Sequence, residues 1–161
     1  MQRFAGRRDK TAGDDGEQMA QVFFVSGHLD LTAEEFEREY VPQLEAALRD
    51  CKDASFVVGD AKGGDSMAQA WLATKGVRSV RVFHKHGGPR CNKLNWPTTS
   101  GFRTDEERDA ALTAASTVDI AWARSVDEQK RLYGDKYYPR VSGTQKNLER
   151  RQRRQQQGDT S

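Results

Sequence analysis

Residues 56–69 read FVVGDAKGGDSMAQ, an order of residue types that predicts a buried strand, a tight turn and the start of a helix. The apolar run that opens this segment is aromatic and β-branched, which favours a buried strand. Gly63 and Gly64 allow positive φ angles and a close approach of the backbone to a ligand. Ser66 and Gln69 have the spacing of a capping box, so we expect the helix to begin at about Ser66. Such a turn directs amide groups and a positive helix end toward one point, which suits an anion such as phosphate.

Composition limits the class of protein. The chain has 161 residues, with 26 Lys and Arg against 24 Asp and Glu, so the molecule as a whole is not a strongly basic binder of polymers. The 2 cysteines give no disulfide framework, which fits a reducing compartment, and we expect a cytoplasmic protein. No apolar run approaches the roughly 20 residues that span a membrane, so no membrane partner is expected.

Three regions are expected along the chain. Residues 1–20 are polar and charged and predict a disordered leader, although their arginines leave organelle targeting open. Residues 21–154 predict a single domain, and residues 155–161 a disordered tail.

The segment before the glycine turn predicts a strand and a helix. Gln21–Gly27 is a nearly continuous apolar run of the kind that is buried on both faces of a sheet. Thr32 and Glu35 form a capping box, and apolar residues follow at helical spacing. Pro42 interrupts this pattern; either the helix kinks there or two shorter helices meet, and we expect a kink.

The segment after the glycine turn predicts two more strands. Val77–His84 alternates in polarity, which favours a position nearer a sheet edge. Lys85–Arg103 is rich in Gly, Pro, Asn and Thr and predicts a long irregular lid or binding loop. Val118–Ala123 is the last predicted strand. Further capping boxes are expected at Thr104–Glu107 and Ser142–Gln145.

Strands that alternate with helices predict an α/β fold, a Rossmann-like three-layer α/β/α sandwich with a mainly parallel sheet. Ligands of such sheets bind outside the carboxyl ends of the strands. The turns at Ser26–Asp30, Asp60–Asp65 and Lys85–Arg90 lie on that edge, and we expect Ser142–Thr144 to join them. The sequence therefore predicts one cleft, although it does not give the strand order.

These turns resemble those of the SLOG superfamily, the Rossmann-like group that includes the DprA/Smf and LOG proteins, and the likeness is closest to its small YspA-type members. The matching residues are Val25-Ser26-Gly27, the run Gly59–Asp65 (GDAKGGD) and Met67-Ala68, with Ser142-Gly143-Thr144 as a second phosphate loop. The P-G-G-x-G-T-x-x-E motif of LOG phosphoribohydrolases is absent, and with it the catalytic glutamate at the matching place.

The resemblance implies a small-molecule nucleotide or a nucleotide-derived ligand. Some relatives cleave a base from a nucleoside monophosphate, whereas others are sensors or act on DNA. It therefore leaves two alternatives open, a sensor or binding module and a nucleotide N-glycosidase or transferase. It also implies a homodimer, because SLOG relatives often form pairs. No cofactor is expected.

The predicted cleft contains candidate catalytic and ligand-binding residues. N-glycosidic cleavage needs a carboxylate near the sugar, and Asp30, Asp60 and Asp65 are the candidates, with a turn-forming or capping role as the alternative for each. The expected ligand- or phosphate-binding residues are Ser26, Gly27, His28, Gly59, Lys62, Gly63, Gly64, Ser66, Gln69, Ser142, Gly143 and Thr144.

Aromatic, metal-ligating and basic residues complete the candidates. Trp96 and Phe102 could stack on a base or pin their loop to the core. The spacing of the histidines and of Cys91 fits no standard zinc site, so no metal is expected. Four arginines near the C-terminal end either contact nucleic-acid phosphates or form a solvated helix end. They are Arg150, Arg151, Arg153 and Arg154.

Overall fold

The computed structural model describes residues 20–160, so the predicted leader lies outside the described residues except for Ala20. The strands are β1 (Val22–Val25), β2 (Ser55–Val58), β3 (Val80–Lys85), β4 (Thr98–Phe102) and β5 (Val118–Ile120). The helices are α1 (Ala33–Glu39), α2 (Val41–Asp50), α3 (Gly64–Thr74), α4 (Asp105–Ala114), α5 (Val126–Tyr133) and α6 (Gly143–Thr160), with a 3₁₀ turn at Gly134–Lys136.

The five strands form one sheet in the order β4-β3-β2-β1-β5, and every pair is parallel. This arrangement confirms the predicted α/β, Rossmann-like fold with a parallel sheet. The chain builds the sheet outward from β1 to β4 and then returns to the other side of β1 with β5. Such a reversal of strand order leaves a crevice at the carboxyl edge of the sheet.

Apolar side chains of β1 enter two separate cores. Phe23 and Val25 pack with apolar residues of α1, α2 and α3 on one face. Phe24 packs on the opposite face with Leu112 of α4, and α6 lies beside α4. Because side chains alternate along a strand, a strand buried on both faces needs apolar residues at every position. The helices therefore cover both faces of the sheet.

The predicted kink at Pro42 is wrong, because two helices meet at Tyr40 instead. Pro42 lies in the first turn of α2, where its missing N–H costs nothing. The buried Tyr40 hydroxyl donates to the carbonyl of Ser26 (2.7 Å) and so holds the junction against the sheet. The predicted capping box of Thr32 and Glu35 at the start of α1 is confirmed.

The capping boxes predicted at Thr104–Glu107 and Ser142–Gln145 form only their first half. The amides of Glu107 and Gln145 donate to the hydroxyls of Thr104 and Ser142, each at 3.1 Å. The reciprocal bonds, from the N-cap amides to these two side chains, are absent among the described residues. The Glu107 carboxylate accepts from the Arg103 amide instead, and the Gln145 side chain donates to a residue one turn further along α6. One capping hydroxyl is nevertheless enough to start each helix at the predicted place.

Lys85–Arg103 is not irregular throughout, because it contains β4. β4 pairs with β3, so β4 occupies the edge of the sheet and β3, predicted to lie nearer that edge, is internal. The sequence TTSGF has little apolar character, and its structure comes from backbone pairing with β3.

The predicted disordered tail is also wrong over residues 155–160, which continue α6. Arginine and glutamine are good helix formers, and they dominate this stretch. No helix in residues 20–160 is long and apolar enough to cross a membrane.

Candidate functional site

A cavity of about 830 Å³ opens at the carboxyl edge of the sheet. Its walls come from the segments after β1, β2 and β3, from α4, and from the chain around the start of α6. The residues that line it are Phe24, Ser26, Gly27, His28, Leu29, Asp30, Asp60, Ala61, Lys62, Asp65, Ser66, Arg90, Cys91, Asp105, Arg108, Asp109, Tyr133, Arg140, Val141, Ser142, Gly143, Thr144 and Asn147. The predicted turns therefore meet at one place.

The two adjacent glycines pack against the backbone rather than face the cavity. Gly64 lies so close to Gly27 that a Cβ atom on Gly64 would be 2.5 Å from the Gly27 Cα. The Gly64 amide donates to the His28 carbonyl (3.0 Å) and is not free for an anion. Gly63 has a φ of 79° and lies against the carbonyls of His28 and Leu29. The two glycines dock the start of α3 on the turn that follows β1, and neither lines the cavity. The predicted phosphate contact of the Gly64 amide is therefore wrong.

Helix α3 begins at Gly64, and the predicted capping box of Ser66 and Gln69 does not form. The Ser66 hydroxyl donates to the Ala61 carbonyl instead (2.9 Å). Gln69 is fully buried, donates to the Gly59 carbonyl and accepts from the Lys93 amide, both at 3.0 Å. Gln69 fastens the segment after β3 to the end of β2 and does not line the cavity.

Gly59 is likewise a packing position. A Cβ atom there would lie 2.5 Å from Asp65 Oδ2 and 2.9 Å from the guanidinium carbon of Arg108. The predicted contact of Gly59 with a ligand is wrong, because buried charged side chains occupy the space beside it.

Asp60 is held by two arginines. Its carboxylate accepts from the Arg90 amide and guanidinium and from Arg108 Nη1, at 2.8 to 3.1 Å. Burial acts to raise its pKa, but the hydrogen bonds from Arg90 and the charge of Arg108 outweigh it and lower the pKa to about 2. With both oxygens occupied, Asp60 acts as an anchor for the arginines rather than as an acid or base.

Asp65 lies in the first turn of α3 and is buried, yet it lines the cavity. Its Oδ2 accepts from the Ala61 amide (3.1 Å) and lies 3.8 Å from Arg108 Nη2. Its Oδ1 makes no hydrogen bond with any described residue. Burial raises the pKa of Asp65 to about 7, because the attraction of Arg108 compensates only part of the lost hydration.

Asp65→Asn should change how stability depends on pH. The folded protein holds a proton on Asp65 up to about pH 7, whereas the unfolded chain loses it near the ordinary pKa of 3.8. The contribution of Asp65 to the free energy of unfolding of the wild type is therefore fully present below about pH 4. It is lost as the pH rises through 7. Relative to wild type, the variant should gain stability across that window, on the order of 4 kcal/mol. Urea unfolding of both proteins at several pH values measures the difference, and parallel pH profiles would contradict it.

Asp30 belongs to a second ion cluster, organised by Arg124. The Arg124 side chain is 1% exposed and donates to both Glu35 oxygens (2.7 and 2.8 Å) and to Asp30 Oδ1 (2.8 Å). The Tyr133 hydroxyl donates to Asp30 Oδ2 (2.6 Å). Although partial burial acts to raise the pKa of Asp30, the bonds from Tyr133 and Arg124 lower it. Asp30 is therefore a half-exposed carboxylate at the cavity mouth with both oxygens bonded.

His28 presents one ring nitrogen as a donor. The Arg124 amide donates to Nε2 of His28 (3.1 Å), so Nε2 is an acceptor. Burial, with the charge of Arg124, lowers the pKa of His28 and keeps the ring neutral. The proton therefore lies on Nδ1, which has no partner among the described residues, and His28 lines the cavity.

Ser26 is the clearest unsatisfied group in the cavity. The residue is 5% exposed, and its hydroxyl has no hydrogen-bond partner in the described chain. Because Ser26 extends β1 by one position beyond Val25, its side chain lies on the same face as Phe24, toward α4 and α6. A buried hydroxyl without a partner is costly, and Ser26, unlike the equally unpartnered Thr113, lines the cavity.

The start of α6 faces the same cavity. Ser142, Gly143 and Thr144 line it, and Thr144 is 3% exposed. The amides of Gly143 and Thr144 and the Thr144 hydroxyl have no partner in residues 20–160. Since α6 is 18 residues long, its positive end adds to these unpaired donors.

The first turn of α3 also leaves donors unpaired. The amides of Asp65 and Ser66 make no hydrogen bond in the described part of the chain, and Lys62 is exposed beside them at the cavity wall. Arg140 also lines the cavity and lies over the rings of Tyr133 and Tyr138 at 5.3 and 5.4 Å. The cavity wall therefore includes the first turns of α3 and α6, and the cations Lys62 and Arg140 lie at its rim.

The predicted base-stacking residues lie elsewhere. Trp96 is buried, and its Nε1 donates to the Val77 carbonyl (3.0 Å). Phe102 stacks on Phe83 with ring centroids 6.0 Å apart. Both residues pin the segment to the core, so the predicted base-stacking role is wrong and the alternative is confirmed.

The C-terminal arginines divide into two groups. Arg151 is buried and donates to the Ser116 carbonyl (2.9 Å) and to Asp119 (3.1 Å). Arg150 donates to Asn147 (2.6 Å), whereas Arg153 and Arg154 are exposed. At least one of the four arginines predicted to meet nucleic acid instead docks α6 on the sheet.

Several cavity residues were not predicted from the sequence: Arg90, Arg108, Tyr133 and Arg140. The helix that carries Tyr133 had a visible signal, since Ser125 and Glu128 form a full capping box. The arginines resemble ordinary surface charges in the sequence. Among the described residues, no group of three or more His, Cys, Asp or Glu side chains is placed to hold a metal ion.

Compared with protein-family models, curated proteins and solved structures, the chain shows no match in any of the three.

Proposed function

We propose that the protein binds a nucleotide or another phosphorylated nucleoside derivative in this cavity, with the phosphoryl group at the start of α6. The observation that carries the proposal is the buried, unpartnered hydroxyl of Ser26 in a cavity that the first turn of α6 also faces. A ligand oxygen that satisfies Ser26 also lies on the face where α6 begins.

The donors at that end suit a phosphoryl group. The amides of Gly143 and Thr144 and the Thr144 hydroxyl are unpaired in the described chain, and a helix start favours negative charge. Ser26 adds a fourth donor, and Arg140 adds a positive charge at the rim. A phosphoryl group is a strong acceptor with several oxygens, so it can satisfy this set.

The remaining volume suits the rest of a nucleotide. A cavity of about 830 Å³ lies within the range of pockets that hold small organic ligands, roughly 300–1,000 Å³. Apolar surface comes from Phe24, Leu29 and Val141, and polar side chains lie between them.

Thr144→Val tests the phosphoryl subsite. The substitution preserves the shape of the side chain and removes one donor, so affinity for nucleoside mono-, di- or triphosphates should fall about 10- to 100-fold. Affinity for the matching nucleoside should not change. Isothermal titration calorimetry, after a thermal-shift panel has selected the ligand, measures both.

The matched control is Thr113→Val. The Thr113 hydroxyl is also buried and unpartnered in the described chain, but Thr113 lies on α4 and does not line the cavity. This variant should bind every ligand as wild type does. If wild type binds none of the nucleotides, or if both valine variants lose affinity equally, the proposal fails.

A nucleotide N-glycosidase is the second candidate, and Asp65 favours it. A cavity carboxyl with a pKa of about 7 can give or take a proton near neutral pH. Chromatography of a nucleoside monophosphate after incubation with the protein decides between turnover and binding alone. Free base that forms with wild type and not with Asp65→Asn would identify an enzyme.

A further inference from the structure

The cavity has unpaired donors at the starts of both α6 and α3, and at α3 it also has an unpaired acceptor. The start of α6, with Ser26, presents backbone amides and hydroxyl groups without partners in the described chain. Asp65, in the first turn of α3 on the other face of the sheet, presents a carboxyl oxygen. A ligand that fills the cavity meets both.

Asp65 differs from the other carboxylates that line the cavity. Asp30 and Asp60 have both oxygens bonded, as described above. Asp109 accepts from Arg108 and from Asn147. Asp105 is more than half exposed at the rim, paired with Arg90 and Lys85. Asp65 alone among these described residues combines burial with an oxygen, Oδ1, that has no partner.

A phosphoryl group is a poor partner for that oxygen, because two negative oxygens repel each other in a buried place. A hydroxyl group is a good partner, since it can donate to an ionised carboxylate and accept from a protonated one. Nucleotides and their derivatives carry hydroxyl groups on the sugar that bears the phosphate.

We propose that Asp65 Oδ1 is the receptor for a sugar hydroxyl, so that the cavity selects phosphorylated sugars and their derivatives by holding the phosphoryl group at α6 and the sugar at α3. This inference rests on the proposed function and adds the part of the ligand that is recognised. Ribose 5-phosphate, which lacks a base, is then the smallest ligand that uses both ends.

The test compares Asp65→Asn with wild type by calorimetric titration of ribose 5-phosphate. The asparagine oxygen must stay toward the Ala61 amide, which leaves an NH₂ group in place of Oδ1. The NH₂ group cannot accept a hydrogen bond from the sugar hydroxyl, and a neutral bond from NH₂ to that hydroxyl is weaker than a bond to a carboxylate. Affinity for ribose 5-phosphate should therefore fall about 10-fold or more, whereas affinity for inorganic phosphate should not change. Asp53→Asn, which alters an exposed carboxylate that does not line the cavity, should behave as wild type.

A second arm changes the ligand instead of the protein. Tetrahydrofurfuryl phosphate keeps the ring and the phosphate of ribose 5-phosphate but lacks its ring hydroxyls. Wild type should bind it at least 10-fold more weakly than ribose 5-phosphate, and Asp65→Asn should cause no further loss. This arm needs only the wild-type protein if the variant does not fold.

The outcomes separate the two proposals. If wild type binds ribose 5-phosphate and its hydroxyl-free analogue equally, the role of Asp65 is overturned and the phosphoryl subsite stands. The same holds if Asp65→Asn weakens a nucleotide but not ribose 5-phosphate, because Asp65 then contacts the base. If wild type binds none of the phosphorylated ligands, both proposals are overturned.

Discussion

Gly64→Ala should destabilise the protein by about 3 kcal/mol, the upper end of the usual cost of overpacking. The added Cβ would lie 2.5 Å from the Gly27 Cα and 2.9 Å from the Gly27 carbonyl carbon and amide nitrogen. These are backbone atoms rather than the ends of flexible side chains, so a change of rotamer cannot relieve the contact. Urea unfolding measures the loss, which for a domain of this size lowers Tm by roughly 6 to 12 °C.

Gly88→Ala is the matched control. A Cβ atom on Gly88 meets nothing within 4 Å, so this variant should unfold with the wild-type midpoint or slightly above it, since alanine restricts the unfolded chain. Equal midpoints for the Gly64 and Gly88 variants would show that the β1 turn can move away from α3, and the tight docking described above would be wrong.

Arg124→Leu should cost about 3–5 kcal/mol, because it removes one partner of a buried ion cluster. Glu35 and Asp30 would lose the guanidinium that binds both, while Glu35 stays largely covered. The hydrogen bonds from Arg124 lower the pKa of Glu35 to about 2 in the folded protein. The loss should therefore shrink as the pH falls below about 4, where the unfolded chain becomes protonated.

Arg49→Leu serves as the control for Arg124. The Arg49 side chain is 69% exposed and pairs with its neighbour Asp50, so its loss should leave the free energy of unfolding close to that of wild type. Urea unfolding at neutral pH compares the two variants. If Arg124→Leu lowers the free energy of unfolding no more than Arg49→Leu does, water must hydrate Glu35 and Asp30 as well as Arg124 binds them, and the stabilising role of the cluster would be wrong.

The sequence was sufficient for the strand, turn and helix around Gly63 and Gly64, and for the parallel sheet, because these follow from local periodicity and alternation of elements. It was also sufficient for the start of α1, where Thr32 and Glu35 satisfy each other within one turn. The same local pattern failed at Ser66 and Gln69. There, the Gly59 carbonyl at the end of β2 and the Lys93 amide, 24 positions further along the chain, compete for the glutamine.

The candidate site was predictable only in its location. Parallel strands bring their following turns to one edge, which is a matter of topology. The role of each residue depends on partners far along the chain, as with Arg108, which binds Asp60 across 48 positions. Trp96 was ambiguous for the same reason, since only the fold brings the Val77 carbonyl to its indole nitrogen.

The position of β5 in the sheet has a consequence for the order of folding. β1, β2 and β3 join near neighbours along the chain, whereas β5 must find β1 across a separation such as the 95 positions between Val22 and Thr117. Closing so long a loop is slow, so we expect the β1–β3 half to form first. Helix α6 contacts β5 through Arg151 and Asp119, so we expect its final position to be set after β5 joins the sheet. The part of the cavity wall that the first turn of α6 forms is therefore completed late in folding. A ligand bound there would hold together the two halves of the chain.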